Sequence, residues 1–346
     1  MGVPVKPGRA EAADIAARND SPAAAGIVRA SFCRPLAGPA LAALALPLAC
    51  LLLGTDYALG QATLVATYAI AGLGVVLIVG QAGQIVLGQG ALVALGAYAE
   101  ALLAAVGWPP LLSLPVAVAL GACGGAIASL PARRLGGLYF GMSTLAFALV
   151  VEEVLTRWSG LTQGAAGMLV PAFGGGGWRA QTPLAQFLVS LVALALAWMA
   201  CRRLLRSRLG RAWRAIREDE AAAAACGIDL ARTKSAAFIL GGGVSAFGGA
   251  FYAHWIGFIS PEQFGLMLSF ELLMLVFLGG VGRLSGALWG ALVIVAVPQL
   301  IAVARDALPG EGVGSAGLET ALFGAVIVAL VLWRLRGEKR RGGSLR

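Results

Sequence analysis

Residues 201–234 read CRRLLRSRLGRAWRAIREDEAAAAACGIDLARTK, and the charge in this stretch decides the fold. Nine of its residues are basic (Arg202, Arg203, Arg206, Arg208, Arg211, Arg214, Arg217, Arg232, Lys234) and four are acidic (Glu218, Asp219, Glu220, Asp229). Long apolar runs lie on both sides. One charge at the centre of a bilayer costs about 2.5–3.5 kcal/mol on insertion scales, so thirteen together belong in water. The chain therefore reads as a membrane protein with one sizeable polar loop near its middle, and that loop is the place for a partner to act.

The totals agree. Of 346 residues, 59% are hydrophobic and only 12% charged, against about 25% charged in soluble domains; the mean hydropathy is +0.84. The 49 glycines suit helices that approach closely in lipid. The apolar runs are near 20 residues long and do not alternate, which favours helices over a β-barrel. The net charge of +9 flanks apolar spans rather than forming a nucleic-acid surface. Five unpaired cysteine positions (Cys33, Cys50, Cys123, Cys201, Cys226) and a single histidine, His254, argue against a disulfide framework and against a metal site.

Residues 1–36 mix Pro, Gly, Ala and both charge signs and are expected to form a disordered cytoplasmic tail. No short apolar core with a cleavage site stands there, so it is not read as a signal peptide. The membrane domain is expected to run over 37–333, with a basic cytoplasmic tail over 334–346. Ten spans are expected: 37–53, 59–79, 84–106, 110–131, 138–156, 183–201, 235–256, 266–282, 284–304 and 315–333. With both termini inside, 23 of the 26 Lys and Arg residues fall in inner loops and tails, leaving Arg157, Arg179 and Arg305 outside. That asymmetry orients the chain N-in and C-in. The fold class expected is thus an all-α integral membrane protein with about ten transmembrane helices. Residues 157–182, with four consecutive glycines, read as an exposed outer loop. Trp108, Trp158, Trp178, Trp255 and Trp333 stand near predicted membrane boundaries as an interfacial belt. A faint internal repeat pairs Gly80, Gly83, Gly88 and Ala91 with Gly279, Gly282, Gly286 and Ala287, each set at an inner turn.

Inside the central loop, Leu209, Trp213 and Ile216 recur at helical spacing and form an apolar stripe. Arg214 and Glu218, four residues apart, lie on another face. The alanines 221–225 are expected to continue the same helix, Gly227 to stop it and Asp229 to cap the next. The stripe reads as a docking face for a partner. The plainer alternative is a solvated linker whose arginines only set topology.

The stretch GRAWRAIREDEAAAAACGIDLARTKSAAFILGGGVSAFGGAFYA resembles the cytoplasmic coupling region of membrane permeases of branched-chain amino acid ABC importers, M-subunit type. GQAGQIVLGQGALVALGAYAEALL (80–103), LPARRLGGLYFGMSTLAFALV (130–150), LTQGAAGM (161–168), GFISPEQF (257–264) and SFELLMLVFLGGVGRLSGALWGA (269–291) agree with that family in order, so the resemblance covers roughly 60–302. It implies a multi-pass subunit of the bacterial inner membrane that pairs with a second related permease. Two cytoplasmic ATPase subunits would drive it, and a periplasmic substrate-binding protein would feed it. The chain itself would be no enzyme and hold no cofactor, since ATP and Mg would be bound by the ATPase partners. The helix 211–226 would be the coupling helix, with Trp213, Arg214, Arg217, Glu218, Asp219 and Gly227 as the ATPase-coupling residues. The importer signature has Glu-Ala-Ala followed by three residues and then Gly. Here Glu220-Ala221-Ala222 puts Gly227 one residue late.

Candidates for the translocation path are Gln84, Gln89, Ser143, Thr144 and Glu271. Amides and carboxylates inside lipid need partners and often face a bundle interior or cavity, although helix-to-helix bonding explains the glutamines equally well. For Glu271 a structural pairing role is preferred over lining the path. His254 has no acidic or Cys partner nearby in sequence and reads as an interfacial residue. Nucleophile-elbow and phosphate-loop motifs are absent. The competing class is an ion-coupled secondary transporter or channel for a small polar solute, which would bury coupling carboxylates in mid-membrane. The resemblance leaves several solutes open, from branched-chain amino acids to urea and short amides.

Overall fold

The computed structural model describes residues 56–133, 137–175 and 178–306, together with residue 324. The expected spans at 37–53 and 315–333, the two tails, Arg134, Cys33 and Cys50 lie outside the described residues.

Among the described residues, eleven α-helices follow in order: α1 Asp56–Val75, α2 Gln89–Ala105, α3 Pro110–Ala128, α4 Gly137–Arg157, the single turn α5 Ser159–Thr162, α6 Pro183–Arg206, α7 Arg208–Glu218, α8 Glu220–Ala225, α9 Leu230–Ile256, α10 Leu266–Gly279 and α11 Leu284–Asp306. Four two-residue strands, β1 Met168–Leu169, β2 Gly174–Gly175, β3 Trp178–Arg179 and β4 Phe258–Ile259, make two antiparallel ribbons, β1 with β4 and β2 with β3. Among the described residues, six helices are long and apolar enough to cross a membrane, and α2 and α11 supply shorter apolar helices. The chain is thus a mostly helical, multi-pass membrane protein, and eight of the expected spans each coincide with a helix.

The bundle is built around α9. Its 27 residues carry Gly241, Gly242, Gly243, Gly248 and Gly249 on faces that meet other backbones. A Cβ at Gly242 would stand 2.6 Å from the carbonyl oxygen of Gly121 on α3, and one at Gly248 2.6 Å from the amide nitrogen of Ala71 on α1. Small residues at such crossings let the backbones close up, the main source of helix association where lipid is as apolar as the side chains. Asp229 starts α9, its Oδ1 accepting from Arg232 N at 3.0 Å, and Gly257 ends it at φ 73°. α1 and α9 are mostly buried, whereas α3, α4 and α6 turn large apolar side chains outward, among them Leu120, Leu149, Val150, Leu188, Val192 and Leu196.

Several boundaries differ from the sequence expectation. The third span does not begin at 84: α1 runs on as a π-helical turn, Val76–Gln81, and residues 82–88 are unwound before α2 starts at Gln89. Gly83, at φ 69°, takes a backbone that L side chains rarely adopt, and Leu87 N turns aside to donate to Thr144 Oγ1 at 3.1 Å. The helix expected over 211–226 is two helices. Asp219 leaves the helical region (φ −157°, ψ 114°) and caps α8, its Oδ1 accepting from Ala221 N at 2.8 Å and Ala222 N at 3.0 Å. Alanine propensity favoured continuity, but a capping carboxylate that satisfies two free amides outweighs the few tenths of a kcal/mol at stake per residue.

Two ends of the bundle are thereby defined. The turn after α1, the α7–α8 pair and the turn between α10 and α11 gather at one end. The starts of α3 and the ends of α2 and α9 meet residues 168–171 at the other.

Candidate functional site

The amphipathic helix α7 lies against the first of these ends. Trp213 and Ile216 are buried, and the Trp213 indole donates to the Thr233 carbonyl in the first turn of α9 at 2.8 Å. Leu209 remains partly exposed. Two of the three residues of the stripe read from the sequence as a docking face, Trp213 and Ile216, are therefore turned inward against the chain's own helices. Its spacing was right, but spacing does not say which neighbour the apolar side meets. Glu218, Asp219 and Glu220 stay exposed, as does Gly227, which ends α8 at φ 82° with open space around it. Lys234 Nζ, on α9, meets Glu220 Oε2 at 2.8 Å and ties α8 down. The Arg214 Nε donates to Gly210 O at 3.2 Å along its own helix.

Arg217 does something the sequence did not indicate. Its guanidinium donates to the carbonyl of Gly80, and its stem lies over Gly83, where a Cβ would stand 3.3 Å from Arg217 Cγ. Its Nη1 also lies against Gly282, at φ 90° in the turn between α10 and α11. Gln81 Nε2 donates to Gly282 O at 2.7 Å, and a Cβ on Gly80 would be 3.0 Å from Gly282 N. The two glycine clusters noticed as a faint repeat are thus in contact, with one arginine from α7 laid across both. Bare backbone is needed there because three segments converge on a single guanidinium.

The path candidates separate. Gln89 Nε2 donates to Ser245 Oγ on α9, which donates on to Ala71 O at 3.1 Å; among the described residues, Gln89 Oε1 has no partner. Thr144 is buried, accepting from Leu87 N and donating to Gly141 O at 2.8 Å. Gln84 is buried with a long bond, 3.4 Å, to Ala82 O, and Ser143 is half-buried on α4. Gln89 thus joins α2 to α9, and Thr144 joins α4 to the unwound segment before α2. Glu271 lies apart, near the start of α10, where Tyr68 donates to its Oε2 at 3.1 Å.

Sequence reasoning missed Glu100. It is fully buried on α2, and its Oε1 lies 3.0 Å from His254 Nε2 and accepts from Ser113 Oγ at 2.7 Å. His254 is therefore not the isolated interfacial residue expected. Its acidic partner lies 154 positions away, and only an intramembrane acid on an otherwise apolar helix could have signalled it.

The family model for the branched-chain amino acid transport system permease component matches residues 57–332. This chain belongs to that permease family. The permease is 31% identical to the high-affinity branched-chain amino acid transport system permease protein LivM of Escherichia coli K12, across 80% of its own length and 68% of the relative's. LivH of the same organism is 26% identical across 67% and 80% of the two chains, and a probable LivM of Methanocaldococcus jannaschii 27% across 66% and 67%. No solved structure matches the chain.

Proposed function

We propose that the permease is one of two related membrane subunits of an ABC importer of the bacterial inner membrane. It would move branched-chain amino acids, or a related small amino acid or amide, inward by alternating access. Two cytoplasmic ATPase subunits bind ATP and Mg and supply the energy, and a periplasmic binding protein delivers the solute. Likeness to both LivM and LivH supports a paired arrangement. Ten spans with both termini inside remain the topology that the charge distribution favours. The grouping of the turns near 80 and 282 with α7–α8 at one end of the bundle accords with it.

The observation that carries the coupling reading is the two-sided build of α7–α8. Trp213 and Ile216 fasten the pair to the bundle, while Glu218, Asp219, Glu220 and the Gly227 turn face water. A stiff element anchored on one side and exposed on the other can pass a rigid-body displacement inward. Trp213 and Arg217 act on the inward side of that element, and Arg214, Glu218, Asp219 and Gly227 supply the ATPase-facing side. Replacing Glu218 with Lys and Gly227 with Val in the assembled importer should lower ATPase association and uptake. Full activity in both variants would remove the coupling assignment. A buried Glu100–His254 pair also suits an ion-coupled carrier. Such a carrier would be indifferent to both of these substitutions.

A further inference from the structure

The Glu100–His254 pair occupies a junction that the coupling mechanism does not use. Glu100 stands near the end of α2, Ser113 in the first turn of α3 and His254 in the last turn of α9. The second ring nitrogen of His254, Nδ1, lies 2.9 Å from the carbonyl oxygen of Pro171, in the loop between β1 and β2. Phe173 of that loop meets the imidazole edge-on, with centroids 5.2 Å apart, and stacks on Phe251 at 5.4 Å. Val170 N donates to Gly257 O at 2.9 Å, and the β1–β4 ribbon follows directly. One chain of hydrogen bonds, Ser113 to Glu100 to His254 to Pro171, thus joins three membrane helices to the loop that crosses their ends.

The proton count along this chain is constrained. A carbonyl oxygen only accepts, so Nδ1 carries a proton. Nε2 and Glu100 Oε1 then share one more. The pair is neutral overall whether that proton sits on the imidazole or on the carboxyl group. Without it, a ring lone pair would face a carboxylate oxygen. Among the described residues, Glu100 Oε2 is buried without a hydrogen-bond partner. These contacts make a hydrogen-bonded joint between the helix ends and the loop.

We propose that Glu100 and His254 are positioning residues that latch the outer loop at Pro171 across the ends of α2, α3 and α9, setting the shape of the solute entrance. What the latch requires is an unbroken hydrogen-bond chain, not a charge. Glu100→Gln preserves it, because the amide of glutamine can donate to a neutral His254 Nε2. Glu100→Ala and His254→Ala break it.

The importer reading supplies the uptake readout, whereas loop cleavage is independent of that reading. Trypsin would be added to the full importer in nanodiscs, and cutting at the exposed Arg179 compared with cutting at the arginines of 202–234. In Glu100→Ala and His254→Ala, cutting at Arg179 should quicken about fivefold or more with cutting in 202–234 unchanged, as loss of a buried hydrogen bond implies. Uptake should fall by a similar factor. Glu100→Gln should match the wild type in cutting and keep at least about half of the uptake. Unchanged cutting at Arg179 in both alanine variants would overturn the latch. So would a Glu100→Gln importer as inactive as Glu100→Ala, since a charge or a proton path would then be what matters. If the alanine variants do not assemble, Ser113→Ala and His254→Gln decide by the same comparison, with faster cutting at Arg179 sustaining the latch and unchanged cutting overturning it. A wild-type importer inert with ATP would sink the importer reading and leave the cleavage result to stand by itself.

Discussion

Replacing Arg217 with Ala separates two accounts of the central loop. Its guanidinium donates to Gly80 O and lies against Gly282, so the side chain links α7 to both turns. A hydrogen bond from a charged group contributes roughly 1.5–3 kcal/mol. Arg217 lies on the exposed rim of α7, where solvent reduces that to about 1 kcal/mol. Such a loss lowers the population in which α7 and the two turns move together by about fivefold. The Gln81–Gly282 bond and the buried Trp213 are untouched, so the fold and the ATPase-facing surface should persist. The expected phenotype is therefore uncoupling. With the variant reconstituted beside its partners in liposomes, ATP hydrolysis should remain near wild type and uptake fall about fivefold, raising the ATP used per solute by the same factor. Arg217→Lys should recover part of the uptake, since an ammonium can reach one carbonyl but lacks the planar fork that spans both turns. If hydrolysis and uptake fell together at a constant ratio, or the ATPases failed to associate, Arg217 would be a contact to the ATPase and the inward link would be wrong.

Other substitutions follow from the same geometry. Trp213→Ala should destabilise the folded permease by about 3–5 kcal/mol, and Trp213→Phe by about 1 kcal/mol through loss of the bond to Thr233, measured by thermal unfolding in detergent. Asp219→Ala should cost about 1 kcal/mol in the same assay and Asp219→Asn much less, since asparagine also caps α8. Gly248→Val should abolish folding, because its Cβ would stand 2.6 Å from a backbone nitrogen of α1; a monodisperse purified variant would contradict the packing. Glu271→Gln should leave uptake near wild type because Tyr68 keeps an acceptor, whereas Glu271→Leu strands that hydroxyl at a cost of about 1–3 kcal/mol.

Much of the architecture was legible because it rests on local signals. Runs of apolar residues near 20 long located the helices, and Asp229 and Gly257 sit where a cap and a stop belong. What was hidden depends on direction and distance. The periodicity of Leu209, Trp213 and Ile216 fixed a stripe but not its neighbour, and Trp213 bonds to α9 of the chain itself. Asp219 looked like one more charge in a helix, and its capping role emerged only from its backbone angles. The glycine clusters near 80 and 282 could be compared in sequence, yet their contact through Gln81 and Arg217 joins residues more than 130 positions apart. Glu100 was overlooked because a lone acid on an apolar helix declares nothing until its imidazole partner is seen.

The central claim is that this permease moves solute only when ATPase subunits drive it. Uptake into liposomes holding the permease, its paired subunit and both ATPases, with binding protein outside and ATP within, measures it directly. The account predicts accumulation that stops when ATP or either ATPase is left out. Full uptake by the purified chain alone under an ion gradient would contradict it.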